Sequence, residues 1–496
     1  MFNEDAKKNM YSGILYQACT LIVGFLLRKY LVDYLGIYNL GVTGVFENAM
    51  AMLNLLDFGI GSACMYYLYK AFAKENREQV ATVYVYFRKI YRKVALAILV
   101  IGLLVLLNIQ LIIDIENNRL FLQLVFALFL LKAVLNHLLI CPRTCLQCDG
   151  KRYIGTVADL GSMIVFAFIK IYFLTKTGSL VIYLIILIIE MLMAVLYIYY
   201  RFIKEYRDID FSNAKRDEQI EEGIAAYSRS LAVSNINFFV YSSTDNIVLS
   251  KFCGTVIVGY MSNYYMIVNA VKGFLTQVTS AVEANLIKNY NVDHMDKKAE
   301  YDLSMFFCFV ISSFCGVCLY NLTDPFISLY FGQGFVLDKK IILFMSIALL
   351  IAYFKKPSST VVISRKMVNR EIPFTVSMMV TNIVLSILLS YKLGPVGVLL
   401  GTVISESILF IGDEILAYNS GIGLGKDTLI KKTIYILIVV LEYIISSRLM
   451  ISVGSYFDWL IDLVICTLVI AAFTLLFFRT EEFKALIGYM FRKKKG

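Results

Sequence analysis

Three cysteines stand close together in the stretch CPRTCLQCDG, residues 141–150. Cys141, Cys145 and Cys148 follow a C-x3-C-x2-C spacing, the pattern in which thiolates hold a [4Fe–4S] cluster in radical S-adenosylmethionine enzymes. Such an enzyme needs a soluble barrel of about 200 residues or more for its substrate and cofactor. The two histidines, His137 and His294, are too few and too far apart in sequence to form a metal site.

The composition leaves no room for a soluble enzyme domain. Hydrophobic residues make up 59% of the chain and charged residues only 17%, with a mean hydropathy of +0.72. A soluble domain carries about 25% charged residues. Apolar runs of roughly 20 residues, each long enough to cross hydrocarbon as a helix, recur from end to end. The sequence therefore indicates an integral membrane protein without an iron–sulfur cluster or any other cofactor.

The apolar runs predict an all-α, polytopic membrane protein with about fourteen transmembrane helices. The predicted spans are centred near residues 11–35, 44–69, 90–113, 120–144, 154–175, 180–200, 226–250, 257–286, 303–322, 341–365, 373–391, 396–417, 432–451 and 459–478. We expect four regions, which are an N-terminal six-helix lobe over 1–205, a C-terminal six-helix lobe over 220–418, an additional helix pair over 430–480 and a basic tail over 481–496.

The distribution of basic residues predicts the topology. Most of the 47 lysines and arginines fall in loops on the same side as the N-terminus, and few, including Lys170 and Lys176, fall toward the other side. Cytoplasmic loops carry an excess of Lys and Arg, so both termini are expected in the cytoplasm. The net charge of +10 is thus mainly a topology signal. The terminal FRKKKG is expected to anchor on the membrane surface, and no nucleic-acid partner is expected.

Two short segments repeat. Gly36 and Gly41 in YLVDYLGIYNLG align at a constant offset with Gly254 and Gly259 in VLSKFCGTVIVG. Both copies follow an odd-numbered predicted span, so the two halves have the same orientation. Parallel repeats of this kind predict a two-lobed, pseudo-symmetric transporter with its site between the lobes.

Several predicted spans carry polar residues at intervals of three, four or seven, which places them on one face of a helix. One interpretation is that they line a wet cavity that takes sugar hydroxyls. The other is that small and polar residues hold helices together. The candidate cavity residues are Gln17, Asn54, Asn136, Asn237, Tyr241, Tyr265 and Asn269.

Charged residues within spans are the stronger signal, because hydrocarbon does not solvate them. The candidate cations for an anionic head group, a phosphate or pyrophosphate, are Arg28, Lys132, Lys272, Lys355 and Lys356. Snorkelling to the interface competes with this role at Arg28, and neutralisation of a carboxylate competes with it at Lys132. Lys355 and Lys356 precede Pro357, which is expected to kink the tenth span.

Four carboxylates also fall within spans, at Glu47, Asp57, Asp245 and Glu283. They are candidates for binding a coupling ion, H⁺ or Na⁺, and pairing with the cations is the alternative. A head group plus a sugar indicates a glycolipid as the transported substrate.

The sequence also resembles a known family. Residues 28–63, RKYLVDYLGIYNLGVTGVFENAMAMLNLLDFGIGSA, are similar to the opening of Wzx-type polysaccharide flippases of the multidrug/oligosaccharidyl-lipid/polysaccharide (MOP) exporter superfamily. DPFISLYFGQGF at 324–335 and TDNIVLSKFCGTVIVGYMSNYY at 244–265 resemble further parts of that family. The resemblance extends to about residue 418. The predicted number of spans exceeds the number common in the superfamily, although the related lipid II flippases also have it.

The resemblance implies export of undecaprenyl-pyrophosphate-linked oligosaccharide from the inner to the outer leaflet of a bacterial plasma membrane. It implies alternating access, for capsule or other surface polysaccharide synthesis, and a transporter rather than an enzyme. The family's first-helix arginine maps onto Arg28, and its cationic cavity onto Lys272 and Lys132.

Two alternatives compete with this interpretation. A cation-coupled multidrug exporter of the same superfamily is expected to have a net acidic cavity, which Lys132 and Lys272 argue against. A membrane polysaccharide polymerase is expected to carry a substantial outer loop with acid or base residues. The longest predicted outer connection, roughly 322–340, is short and has only Asp324 and Asp338 as acids.

Overall fold

The structure is a computed structural model that describes residues 4–113, 118–212, 214–229, 244–290 and 296–491. Over these residues the chain is helical, with short 3-10 turns and no β-strand. The predicted all-α fold is confirmed. The contacts divide the chain into two compact units, Met1–Gly259 (unit 1) and Tyr260–Gly496 (unit 2). The predicted lobes, the separate helix pair and the tail stay predictions.

Unit 1 is built from long apolar helices whose starts are fixed by side chains. Asn76, Asn118 and Ser179 each accept a hydrogen bond from a backbone N–H of the helix that follows, as N-cap residues do. The helices are α1 Glu4–Leu53, α2 Ile60–Ala73, α3 Arg77–Leu107, α4 Arg119–Leu139, α5 Cys141–Cys148, α6 Arg152–Thr177, α7 Leu180–Glu205 and α8 Asp245–Cys253. Residues 218–229 are also helical.

Helix α9, Thr255–Tyr290, begins in unit 1 and continues into unit 2. The helices that follow are α10 Lys297–Phe331, α11 Lys339–Phe354, α12 Lys356–Ser364, α13 Val368–Leu393, α14 Pro395–Tyr418, α15 Lys426–Leu449, α16 Tyr456–Leu475 and α17 Glu481–Phe491. A helix boundary lies at the predicted kink beside Pro357, because α11 ends at Phe354 and α12 begins at Lys356.

Ten helical segments among the described residues are long and apolar enough to cross a membrane, judged by length and composition. They account for most of the fourteen predicted spans. The first two predicted spans form one segment, Lys7–Asp57, and most of the seventh lies outside the described residues. The two others, α9 and α15, are less apolar, because α9 carries Asn269 and Lys272 and α15 carries charged residues throughout.

The three cysteines of the opening motif lie on α5, and all three are buried. They pack in an apolar cluster with residues such as Tyr84 and Phe87. His137 is buried on α4, and its Nδ1 lies 2.9 Å from the carbonyl oxygen of Ala133. His294 lies outside the described residues.

The glycine repeat has a structural counterpart. Gly36 and Gly254 both have positive φ, +76° and +90°, a conformation that L side chains rarely adopt. A Cβ on Gly41 would lie 1.9 Å from the carbonyl oxygen of Thr255, and a Cβ on Gly259 would lie 2.1 Å from that of Ile37. Ile37 and Thr255 are themselves equivalent in the repeat. The two copies therefore pack against each other reciprocally within unit 1, backbone to backbone.

This reciprocal packing predicts a difference between two glycines. Gly41→Ala forces the backbone at Thr255 to move, so we expect it to lower the stability of the protein by about 1–3 kcal/mol. Gly161→Ala, in α6, places its Cβ in open space and is the matched control, expected to be neutral or stabilising by up to about 1 kcal/mol. Thermal unfolding in detergent measures both variants. Equal stability of the two would contradict the reciprocal packing.

Candidate functional site

A cavity of about 700 Å³ lies within unit 1, lined by residues of α1, α4, α6 and α7 with contributions from α5 and the 3-10 turn at Asn54. Four residues selected from the sequence line it, and they are Glu47, Asn54, Lys132 and Asn136. Lys132 and Asn136 are four residues apart on α4 and so lie on one face of that helix. Polar and charged residues from different predicted spans therefore line the same cavity.

Lys132 differs from the other basic side chains of this cavity. It is half-buried, and among the described residues no ion pair or hydrogen bond of its side chain is found. Its charge and that of Arg28 both act on Glu47. Glu47 is accessible to the cavity and likewise makes no ion pair within the part of the chain that the structure describes. Among the lining residues that the structure describes, Lys132 and Glu47 are therefore the charged side chains without a direct ion pair.

Two ion pairs also line this cavity, and the sequence reasoning missed both. The guanidinium of Arg143 donates to the two oxygens of Asp159 at 2.7 and 2.5 Å. The Nζ of Lys170 donates to Glu190 Oε2 at 2.7 Å, and the two side chains are only 5% and 15% exposed. Acidic residues inside the apolar runs of α6 and α7 were the available signal.

The remaining unit 1 candidates are placed elsewhere. Arg28 is half-buried on α1 and interacts electrostatically with Glu47 and Tyr183, but it does not line the cavity. Gln17 is exposed on α1 and is also outside the lining. Asp57 accepts a hydrogen bond from the backbone N–H of Gly61 at 3.1 Å. Asp57 therefore accepts a hydrogen bond from an otherwise unpaired N–H in the first turn of α2, and its role in ion coupling stays a prediction.

Three more candidates come from the seventh predicted span. Asp245 is the first residue of α8 and is half-buried. Asn237 and Tyr241 lie outside the described residues, so their predicted place in a cavity stays a prediction.

In unit 2, two of the predicted cations are held by carboxylates. The Nζ of Lys355 lies 2.9 Å from Glu406 Oε2, and that of Lys356 lies 3.0 Å from Glu283 Oε1. The pairing that was the alternative role for Glu283 is therefore present. An ion pair leaves each lysine less available for a phosphate, because the carboxylate must first be displaced.

The other unit 2 candidates lie along α9. Lys272 is exposed, and no ion pair of its side chain is found among the described residues. Its backbone carbonyl accepts a hydrogen bond from the hydroxyl of Tyr353 at 2.8 Å. Asn269 is exposed and Tyr265 is half-buried. Of the three predicted head-group cations in unit 2, Lys272 is therefore the one without an ion pair among the described residues, and its role stays a prediction.

Residues 6–283 match the family described as "Polysaccharide biosynthesis protein". The match covers more than half of the chain, and the protein belongs to this family. No curated protein sequence matches the chain significantly.

Solved structures with the same fold come from several transporters. An inward-facing multidrug resistance MATE family transporter of the MOP superfamily has a TM-score of 0.68 at 14% identity, covering 82% of this chain and 96% of its own. Lipid II flippase MurJ, in an inward closed conformation, has a TM-score of 0.68 at 17% identity, and the match covers 94% of this chain and 99% of the MurJ chain. A MOP superfamily transporter from Pyrococcus furiosus Vc1 (DSM3638) has a TM-score of 0.56 at 15% identity, covering 84% and 96%.

At these identities the structural likeness shows the fold, which is that of the MOP superfamily. The MurJ match covers 94% of this chain, so it includes at least part of the chain beyond residue 418. The chain therefore belongs to a polysaccharide biosynthesis family and has a fold shared with multi-pass membrane transporters. The predicted family is confirmed, and the polymerase alternative is not supported.

The ion pair of Lys170 and Glu190 gives a stability prediction. Lys170→Met leaves a carboxylate buried without its partner, so we expect a loss of about 3–5 kcal/mol. The double variant Lys170→Met, Glu190→Leu removes both charges and is expected to recover most of that loss. Lys176→Met, exposed at the end of the same helix, is the control and is expected to change little. Unfolding of the purified protein in detergent measures all three, and an unchanged single variant would contradict the pairing.

Proposed function

We propose that this protein moves a polyprenyl-pyrophosphate-linked oligosaccharide from the cytoplasmic to the outer leaflet of a bacterial plasma membrane. Transport occurs by alternating access, and both termini lie in the cytoplasm. The family, named for polysaccharide biosynthesis, and the fold shared with a lipid II flippase support a lipid-linked sugar as substrate. The distribution of lysines and arginines supports the orientation.

The observation that carries this proposal is the environment of Lys132. Arg143 and Lys170 are neutralised by acids of the same cavity. Among the described lining residues, this leaves Lys132 as the lysine or arginine without such a partner. An ammonium that no carboxylate of the cavity pairs directly attracts an anion such as a pyrophosphate, which brings its own charge compensation.

The rest of the cavity suits a sugar. Asn54 and Asn136 present amides that both donate and accept hydrogen bonds, as sugar hydroxyls require. The polyprenyl tail has no need of this cavity and stays in the hydrocarbon. Lys272, exposed in unit 2, is the second head-group cation of the proposal. Only the polar head then needs a protected path.

An ion gradient drives the cycle in this proposal. The sequence has no G-x-x-x-x-G-K-[ST] loop for a nucleotide. The coupling ion is H⁺ or Na⁺, and Glu47 is its candidate site in unit 1, because it faces the cavity without a direct partner among the described residues. Binding of a cation at Glu47 would change the field that Lys132 experiences.

A multidrug exporter is the competing function, because transporters of that kind share the fold. Glu47 in the cavity is the observation that favours it, since an organic cation would be attracted to a carboxylate. Lys132, close enough to act on Glu47, opposes it. The two functions predict opposite charges on the transported molecule.

Translocation in proteoliposomes tests the proposal. The probe is a fluorescent polyprenyl-pyrophosphate oligosaccharide under an imposed ion gradient. We expect wild type to move it, and Lys132→Ala to lower the initial rate by about tenfold to hundredfold, because a charge-assisted contact of about 1.5–3 kcal/mol is lost. Lys132→Arg keeps the charge and should retain much of the activity. Lys176→Ala, an exposed cation outside the cavity, should match wild type.

Two results would overturn the proposal. One is a wild-type protein that leaves the lipid unmoved with either direction of the gradient but transports a hydrophobic organic cation, which selects the drug exporter. The other is equal activity of the Lys132→Ala and Lys176→Ala variants, which would remove Lys132 from head-group binding.

A further inference from the structure

Helices α13 and α14 form a hairpin with unusually close packing. The chain turns at Gly394 and Pro395. A Cβ on Gly397 would lie 2.3 Å from the carbonyl oxygen of Leu389, and a Cβ on Gly412 would lie 2.4 Å from the ring of Phe374. Small residues at such positions let helix backbones approach within a membrane. The helices therefore stay close from the turn to the open end of the hairpin.

Two carboxyl groups meet at that open end. Glu371 stands in the first turn of α13, and Asp413 stands near the end of α14. Their side chains lie within hydrogen-bonding distance of each other. Because the hairpin is antiparallel and tight, the contact follows from the backbone and needs no special loop.

Asp413 is fully buried, with 0% of its surface exposed. Neither of its carboxylate oxygens has a hydrogen-bond donor among the described residues. A buried polar atom without a partner is costly, and a buried ionised carboxylate is costlier still, by several kcal/mol. Two carboxylates in contact cannot both be ionised without compensation.

The neighbouring charges do not supply that compensation. Lys355 is the cation that acts on both carboxyl groups, but its Nζ is already held by Glu406 at 2.9 Å. Glu414, the next acid on α14, pairs with Lys432 and accepts a hydrogen bond from Ser358. Over the described ranges, the acids of this cluster therefore outnumber its bases, and the acids left without an ion pair are Glu371 and Asp413.

We propose that Glu371 and Asp413 form a proton-binding site in unit 2, in which the two carboxyl groups share one proton. The protonated carboxyl donates its O–H to the other group's carboxylate oxygen, which supplies the missing donor. Release of the proton to water leaves two carboxylates, and uptake restores one carboxylic acid.

The surroundings favour a proton over a metal cation. A metal ion needs several oxygen ligands, and no group of three or more metal-ligating side chains is found over the described ranges. A proton needs only the two oxygens that are present.

Proton binding at this site does not depend on which molecule is transported, although its use as a driving force rests on the proposed function. Lys355 could couple proton binding to a conformational change. If its ion pair with Glu406 broke, the ammonium would compensate the charges of Glu371 and Asp413, and the shared proton would be released. The site is distinct from Glu283, because that carboxylate is paired with Lys356.

Infrared difference spectroscopy on the full-length protein in lipid, without substrate, tests the site. As the pH is raised, we expect wild type to lose a protonated-carboxyl C=O band equivalent to about one proton per chain. Asp413→Asn and Glu371→Gln should each abolish that band, because either amide can donate to the remaining carboxylate. The double variant should remove nothing further.

Glu442→Gln is the control. Glu442 is also fully buried with both oxygens unpartnered among the described residues, so its own band should be lost separately while the Asp413 band persists. If one single variant does not fold, the other carries the test, since both predict the same missing band. The proposal would be overturned if the band that persists in Glu442→Gln also survived in Asp413→Asn and in Glu371→Gln. Loss of the wild-type band on adding Na⁺ at constant pH would overturn it in favour of a metal-cation site.

Discussion

A charge inside a membrane-spanning helix finds no water in the hydrocarbon, so it must be paired, face a wet cavity or be neutralised by a proton. This constraint sorts the polar side chains of the protein. Lys170 and Lys355 are paired with acids on neighbouring helices. Lys132 faces a cavity without such a partner among the described residues. Asp413 has neither an ion pair nor a hydrogen-bond donor among the described residues, which leaves protonation. The candidate functional groups are those that simple pairing does not satisfy.

Close packing of the helix backbones brings these charged side chains together. Glycines at close contacts, such as Gly41 against Thr255 and Gly397 against Leu389, allow helices to approach until side chains from different helices meet. The positive φ of Gly36 ends one straight run of α1 and begins another. A bulkier residue at these places would move the helices apart and with them the charges they bring together. Packing and electrostatics are therefore set by the same few positions.

Much of this could be predicted from the sequence, and the limits have a physical cause. Apolar runs predict helices because hydrocarbon admits little else, and the intramembrane charges led to Glu47 and Lys132. The spacing along one helix shows which residues share a face but not which helix lies opposite. For that reason the sequence does not predict the partner of Lys355, and it indicates a place near the outer side for Lys170 rather than a buried ion pair. Glu371 and Asp413, distant in sequence, become a pair only through the hairpin.

The central claim is that an anionic head group binds at Lys132 in unit 1, and protection from chemical labelling tests it most directly. The purified protein in lipid is treated with an amine-reactive reagent, with and without polyprenyl-pyrophosphate oligosaccharide, and the labelling of individual lysines is read by mass spectrometry. We expect the lipid to protect Lys132 from labelling and to leave the labelling of exposed Lys176 unchanged. Labelling of Lys132 that is the same with and without the lipid would contradict the central claim.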